Sequence, residues 1–575
     1  MNFEYYYTPI HIKCNQFSRK FSAWGDRFSG PGGWKTVIFH KKPQEQAVFR
    51  CAACRAYRVS CKKRRSVFNF CASYDIMKAD NTRTLLFGRL SMLFHSYLFL
   101  LVFLPLAAGG WFFLNRRGYA RGAALFLLCA SLVFYGANDW RGLAVLVLSM
   151  LINWRLGRRL TDAPSRPVLI LGLVLNLGVL GFCKYTNFVL SNLALLLGRS
   201  FAPLSLLLPL GISFFTFQQV AYLVDAYRGQ AEKYTLTEYC LFVSFFPCVM
   251  SGPIAFHNEI IPALRRSAVR GFDWEDGARG LTLIACGLAK KVLLADTLGN
   301  AVNAAWSNLS SLNASTALVA MLGYTFQLYF DFSGYCDVAT GAARLFGVPL
   351  PRNFDSPYRA CSIAAFWERW HMTMTRFFTR YLYIPLGGSR RGFTRTCVNT
   401  LLVFLISGLW HGANWTFLVW GGLHGLALVA YKLRDHFTDR RLPRPLGWLL
   451  TFLYVNLCWV FFRAPDLSSA RLFLTRLLTG GWSRLPYDVY SCFMTTEVKV
   501  VNQVLGLQSQ TLGLTATIFF LVLALVLSLV PGNALDRTLG ERFRPSGRTL
   551  AVTTVLLVWS VLSFTGVGTF LYFNF

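Results

Sequence analysis

The chain reads as an all-α polytopic membrane protein with roughly 11–13 membrane-embedded helices and one re-entrant or interfacial segment. Three observations carry this reading. Of its 575 residues, 54% are hydrophobic and only 15% charged, where a soluble globular chain carries about a quarter. Mean hydropathy is +0.42. Apolar runs recur at near-spanning length, about 20 residues, and are continuous rather than alternating, which excludes a lipid-spanning β-barrel.

The first four runs are 93–114, 121–137, 141–156 and 167–198, punctuated by Arg116-Arg117 and by Arg155 with Arg158-Arg159. The next two, 204–226 and 236–255, are richer in polar and turn residues. They hold Leu210-Gly211-Ile212-Ser213, then Asp225 and Tyr227, Phe245-Phe246-Pro247 and Ser251-Gly252-Pro253-Ile254. Such residues are tolerated at membrane depth where backbone lines a cavity; tight packing through small residues is the alternative. Runs 280–298 and 314–337 follow. The stretch 353–392 contains Pro357 and mixes polarity, so it reads as interfacial or re-entrant with amphipathic helices. Runs 396–411, 413–432, 446–463, 513–530 and 549–572 complete the pattern.

The formal net charge is +32. In a soluble chain this would suggest nucleic acid. Here basic pairs such as Arg265-Arg266, Lys290-Lys291, Arg390-Arg391 and Arg440-Arg441 read as loop signals that face the cytoplasm. No aromatic-basic RNA motif is present, so no nucleic-acid partner is expected. Residues 1–91 differ from the rest, with 17 basic residues against 5 acidic ones and no membrane-length run. Cys51 and Cys54 with Cys61 and Cys71 lack zinc spacing beyond the first pair, and no histidine follows there. The start also lacks the basic and apolar regions of a signal peptide. Met92 opens directly into the first apolar run, so the expectation is that translation begins at Met92 and that 1–91 is an upstream extension. Intact mass of the native protein tests this. The other ten cysteines are scattered, several within apolar runs, and form no disulfide framework.

One histidine, His411, sits in the run Ile406-Ser407-Gly408-Leu409-Trp410-His411-Gly412-Ala413-Asn414-Trp415. Ionisable groups at membrane depth are costly and tend to be functional, and imidazole exchanges a proton near neutral pH. An isolated buried histidine reads more simply as structural. Gly408, Gly412 and Asn414 shift the reading towards a reaction chamber, because they permit close backbone approach and add a polar partner. Asp331 and Asp337 are six residues apart and point to different helix faces, which disfavours a paired-carboxylate site. Asp331 either orients a polar site or forms a structural ion pair. In Phe366-Trp367-Glu368-Arg369-Trp370-His371, the two tryptophans share a face, and His371 taken alone reads as an interfacial structural residue. His424 reads as packing or pore-lining. No Walker loop or Gly-x-Ser-x-Gly elbow is present, and neither His371 nor His411 has an aspartate four residues on. No metal site is expected.

The pair of blocks Phe366–His371 and Gly408–Gly412 resembles the membrane-bound O-acyltransferase family, and within it the branch of alginate O-acetyltransferase membrane subunits. Met92-Leu93-Phe94-His95-Ser96, Tyr329–Tyr335, Asn353–Tyr358, Tyr381–Gly388 and the end Phe570–Phe575 fit the same branch. The resemblance covers 92–575 and implies acyl transfer within a helical funnel. It maps the family's invariant histidine to His411 and its second histidine to His371, with Trp410, Asn414, Asp331 and Trp370 as funnel-lining candidates. Glu368 departs from the arginine common in relatives, and Cys336 replaces serine. A buried neutral His411 would take the proton of an attacking hydroxyl or polarise the thioester carbonyl. His371 would orient the donor or help protonate the leaving thiolate. The implied donor is acetyl-CoA or another acyl thioester, with no tightly bound cofactor. Implied partners are the lipid bilayer, a polysaccharide acceptor and an exported, periplasmic SGNH-type acetyltransferase. The implied location is the bacterial inner membrane, multi-pass. The expected product is an O-acetylated exopolysaccharide or cell-wall polymer, alginate-like. Alternatives are D-alanyl transfer to teichoic acid and a non-catalytic polysaccharide export module. The latter would show repeated halves with paired broken helices, whereas the motifs form one asymmetric cluster.

Overall fold

The computed structural model describes residues 92–564, apart from 439, 441, 507 and 542, together with 568, 570 and 571. Residues 1–91 with their cysteines, and most of the final Phe570–Phe575 motif, lie outside the described residues. Every regular element among the described residues is a helix. Seven of these are long and apolar enough to cross a membrane: Leu98–Arg116, Ala120–Asn138, Arg166–Leu196, Phe393–His411, Trp415–Phe437, Arg444–Arg463 and Ser509–Leu529. The protein is thus a multi-pass, all-helical protein of the inner membrane.

The remaining apolar runs are embedded differently, for local reasons. Run 141–156 lies in Trp140–Asp162, which carries Arg141, Arg155, Arg158 and Arg159. Run 204–226 becomes helical only at Ile212. Gly211 before it has φ +71°, and a Cβ there would come within 2.3 Å of Val249 O. Run 236–255 gives the short helix Leu236–Ser244, started by a Thr235–Glu238 capping box, and then a buried loop. Backbone of this kind survives at depth because protein surrounds it. Gly547–Leu562 is apolar but short.

Ala314–Leu345 is the central pillar, and every residue from Gly323 to Ala343 is buried. A helix apolar all round belongs inside a bundle. It packs on Trp274–Leu288 through paired glycines. A Cβ on Gly287 would lie 2.5 Å from Gly334 O, and one on Gly341 would lie 2.5 Å from Gly280 O. Lys290 and Lys291, expected in a cytoplasmic loop, instead lie in a π-helical turn, Ala289–Ala295. Lys290 pairs with Asp337 (2.6 Å), and Lys291 pairs with Asp331 (2.6 Å) and Asp296 (2.8 Å). Dibasic pairs usually mark loops, but here the acids of the pillar draw both lysines inward.

The stretch 353–392 is a chain of short pieces, as expected of a re-entrant segment: Pro357–Arg359, Ile363–Trp367, Met372–Phe378 and the π-turn Thr379–Tyr383. Charged clasps hold it. Arg376 Nη2 donates to Glu259 Oε2 (2.9 Å) and Ile254 O (3.0 Å). Arg380 Nη2 and the Tyr381 hydroxyl donate to Asp225, at 3.0 and 2.8 Å, and His257 Nε2 lies 3.3 Å from the same carboxylate.

Candidate active site

His411 is the last residue of Phe393–His411, and the chain then turns at Gly412 into Trp415–Phe437. The two helices touch at glycines. A Cβ on Gly408 would lie 2.3 Å from Phe417 O, and one on Gly421 would lie 2.3 Å from Phe404 O. This close approach buries the His411 ring against Trp410, Trp420 and Phe462, with ring centroids 4.9, 5.1 and 5.2 Å away.

His371 comes from the re-entrant segment and precedes the helix Met372–Phe378 in a left-handed conformation, φ +45°. Among the described residues only Ser356 shares a positive φ outside glycine. Such strain in a bulky residue persists only where neighbours impose it. Asn353 is that neighbour. Its Oδ1 accepts from Thr373 N (3.2 Å) and Thr373 Oγ1 (2.9 Å) and lies 3.0 Å from His371 Nδ1. Its Nδ2 donates to Cys336 Sγ (3.2 Å), and Met372 N donates to Asn353 O (2.9 Å). The backbone N–H of Thr373 can only donate, so it fixes the amide oxygen. Nδ1 of His371 therefore carries the proton, and Nε2 is the acceptor atom of the ring. Burial holds this imidazole well below the usual histidine range.

The two histidine rings are 6.4 Å apart, centroid to centroid, and both are buried. Trp410 lies beside both, 6.1 Å from His371, and stacks on Phe217 at 5.1 Å. Trp370 belongs to the aromatic wall: it packs on Trp459 (5.0 Å), which stacks on Trp420 (5.8 Å), which meets His411 edge-on. The structure therefore brings His411, His371, Trp410 and Trp370 into one buried aromatic cluster. Asn414 and Asp331 make their polar contacts with other groups. Asn414 caps Trp415–Phe437 by accepting from Thr416 N (3.1 Å), and it donates to Pro465 O (2.6 Å). Asp331 pairs with Lys291 and accepts from Leu571 N (2.9 Å). His424 accepts from Trp367 Nε1 (3.2 Å), a packing role. Glu368 is exposed. Sequence reasoning assigned no role to Asn353, Thr373 or Trp420; for Asn353, the polar Arg352-Asn353 pair directly before the re-entrant helices was the available signal.

Chemically, the cluster offers two buried imidazoles among aromatic rings, groups able to move a proton. Among the described residues, no His, Cys, Asp or Glu group is arranged to hold a metal ion.

Residues 167–467 match the membrane-bound O-acyltransferase family. The chain is 41% identical over 414 residues to the peptidoglycan O-acetyltransferase of Helicobacter pylori, covering 66% of this chain and 78% of that protein. It is 37% identical over 403 residues to the probable alginate O-acetylase AlgI of Azotobacter vinelandii, covering 68% and 79%. A teichoic acid D-alanyltransferase of Streptococcus thermophilus is 30% identical over 286 residues, covering 45% and 69%. The chain belongs to the membrane-bound O-acyltransferase family, as an acyltransferase of the kind that acts on cell-surface polymers.

Proposed function

We propose that the protein moves an acetyl group from cytoplasmic acetyl-CoA across the membrane for O-acetylation of a cell-surface polysaccharide, with His411 and His371 as the reacting pair. The observation that supports it is the convergence of the two buried rings, 6.4 Å apart, from two separate segments. In the reaction, an acceptor hydroxyl oxygen bonds to the thioester carbonyl carbon and the carbon–sulfur bond breaks. The hydroxyl proton passes to His411 and from there to the departing thiolate. His411 in this scheme is the base; polarisation of the carbonyl is its alternative task. His371 meets the site through its acceptor nitrogen, which suits it to positioning the donor. An exported SGNH-type transferase takes the group on the outer face. The higher identity to the peptidoglycan enzyme, 41% against 37% for AlgI of Azotobacter vinelandii, favours a cell-wall glycan as the first acceptor to try.

The test is the full chain in lipid vesicles with radiolabelled acetyl-CoA and the exported partner. Label reaches the acceptor with the wild type and falls roughly a hundredfold or more in His411→Ala, the usual range for a lost general base. Equal transfer by the variant removes the catalytic assignment. Transfer of D-alanine from a carrier thioester, with none of acetyl, establishes the D-alanylation reading that the Streptococcus thermophilus relative raises.

A further inference from the structure

A helix leaves its last four carbonyls without intrahelical donors, and a bilayer has no water to supply them. In the helix that ends on His411, all four are met. Gly412 N donates to Gly408 O (3.3 Å). The Tyr185 hydroxyl donates to Leu409 O (3.0 Å). Lys184 Nζ donates to Trp410 O (2.6 Å) and His411 O (3.2 Å). Two adjacent residues of a single neighbouring helix, Arg166–Leu196, thus close three of the four positions.

Lys184 is the notable member, because an ammonium within an apolar span is costly without a dedicated partner. The negative end of the His411 helix dipole supplies one. The third donor direction of Nζ leads to Ser213 Oγ (3.5 Å). There a cavity of about 60 Å³ opens between Lys184, Gly211, Ser213 and Ser251. His411 is the terminal helical residue, so nothing further along the helix holds its backbone. The direction of its ring depends on the last turn staying wound.

We propose that Lys184, seconded by Tyr185, is a positioning residue for the reaction: its ammonium clamps the final carbonyls of the Phe393–His411 helix and so aims the His411 imidazole. This rests on His411 acting in the transfer proposed above. A lysine needed only for folding or topology would affect the amount of folded protein and leave turnover per folded molecule unchanged.

The experiment compares wild type, His411→Ala, Lys184→Met, Lys184→Cys and Tyr185→Phe as full chains in vesicles, by kcat and KM for acetyl-CoA alongside thermal melting. Lys184→Met is expected to lose at least thirtyfold in kcat, with KM within twofold and an intact melting transition. Aminoethylation of Lys184→Cys with bromoethylamine rebuilds an ammonium at the original reach and is expected to restore at least a third of the wild-type kcat, while the reagent leaves wild-type turnover unchanged. Wild-type turnover in Lys184→Met beside an inactive His411→Ala overturns the proposal alone. A loss in folded Lys184→Cys that aminoethylation does not restore also overturns it. Undiminished transfer by His411→Ala overturns the site reading and this proposal with it. If Lys184→Met does not fold, Tyr185→Phe decides: a severalfold fall in kcat at unchanged melting upholds the clamp, and an unchanged kcat overturns it.

Discussion

Replacing Asn353 with leucine keeps the branched four-atom skeleton of the side chain and removes the acceptor that sets His371. Three donors converge on its Oδ1: Thr373 N, Thr373 Oγ1 and His371 Nδ1. The threonine hydroxyl can rotate to another acceptor, which leaves two buried donors unsatisfied. At roughly 1–3 kcal/mol for each, the fold loses about 2–6 kcal/mol. The imidazole loses its tautomer lock together with the restraint that keeps His371 at φ +45°. Relaxation from that conformation returns about 1–3 kcal/mol of strain, so the net destabilisation lies towards the lower end of the range. The chemical consequence is larger, because a shift of about 1 Å in a reacting group costs on the order of a hundredfold in rate. Acetyl transfer in vesicles, normalised to folded protein by a melting assay, should therefore fall about a hundredfold while the melting temperature drops only modestly. Asn353→Leu with turnover within threefold of wild type and an unchanged melting temperature would refute the claim that this amide sets the ring.

Gly408→Ala places a methyl 2.3 Å from Phe417 O and should lower the melting temperature, with overpacking worth about 1–3 kcal/mol, whereas Gly422→Ala, whose nearest neighbour is Leu405 Cδ2 at 3.7 Å, should leave it unchanged. Lys291→Met strands the Asp331 carboxylate and should cost about 3–5 kcal/mol in equilibrium unfolding, with a clear part recovered when Asp331→Asn is added. His371 takes up a proton less readily in the fold than in the unfolded chain. Its contribution to stability is therefore lost as pH falls below about 6.5, where the unfolded histidine becomes charged. The drop in melting temperature between pH 7.5 and 5.5 should be smaller in His371→Gln.

Much of the site was legible because its markers are local. A histidine flanked by glycine and tryptophan in an apolar run singled out His411 as a candidate, and the broken polarity of 353–392 anticipated the short helices around His371. The six-residue spacing of Asp331 and Asp337 correctly separated their faces: each acid takes a different lysine. What escaped were partners distant in sequence. The bonds from Asn353 to Thr373 and from Lys184 to His411 O join positions with no shared periodicity. Asn414 shows a local use instead. Its nearness to His411 suggested a shared chamber, but an asparagine directly before a helix is well placed to cap it, and that local use prevails here.

The count of membrane-crossing helices shows a deeper limit. Hydropathy reports that a segment avoids water, and it does not distinguish lipid from protein as the surroundings. Ala314–Leu345 is long enough to cross a membrane but is not among the seven helices apolar enough to do so; its middle is enclosed by protein, and its Asp331 and Asp337 reveal this because acids of that kind need nearby cations. The pattern to seek in such chains is an apolar run with acids on more than one face, matched by a lysine pair in the preceding apolar run. By that criterion Lys290-Lys291 belongs with the pillar and not with the topology signals. The same criterion leaves Arg116-Arg117 where hydropathy put it, at the end of Leu98–Arg116, because the spans on either side of it, 93–114 and 121–137, carry no acid for it to pair with.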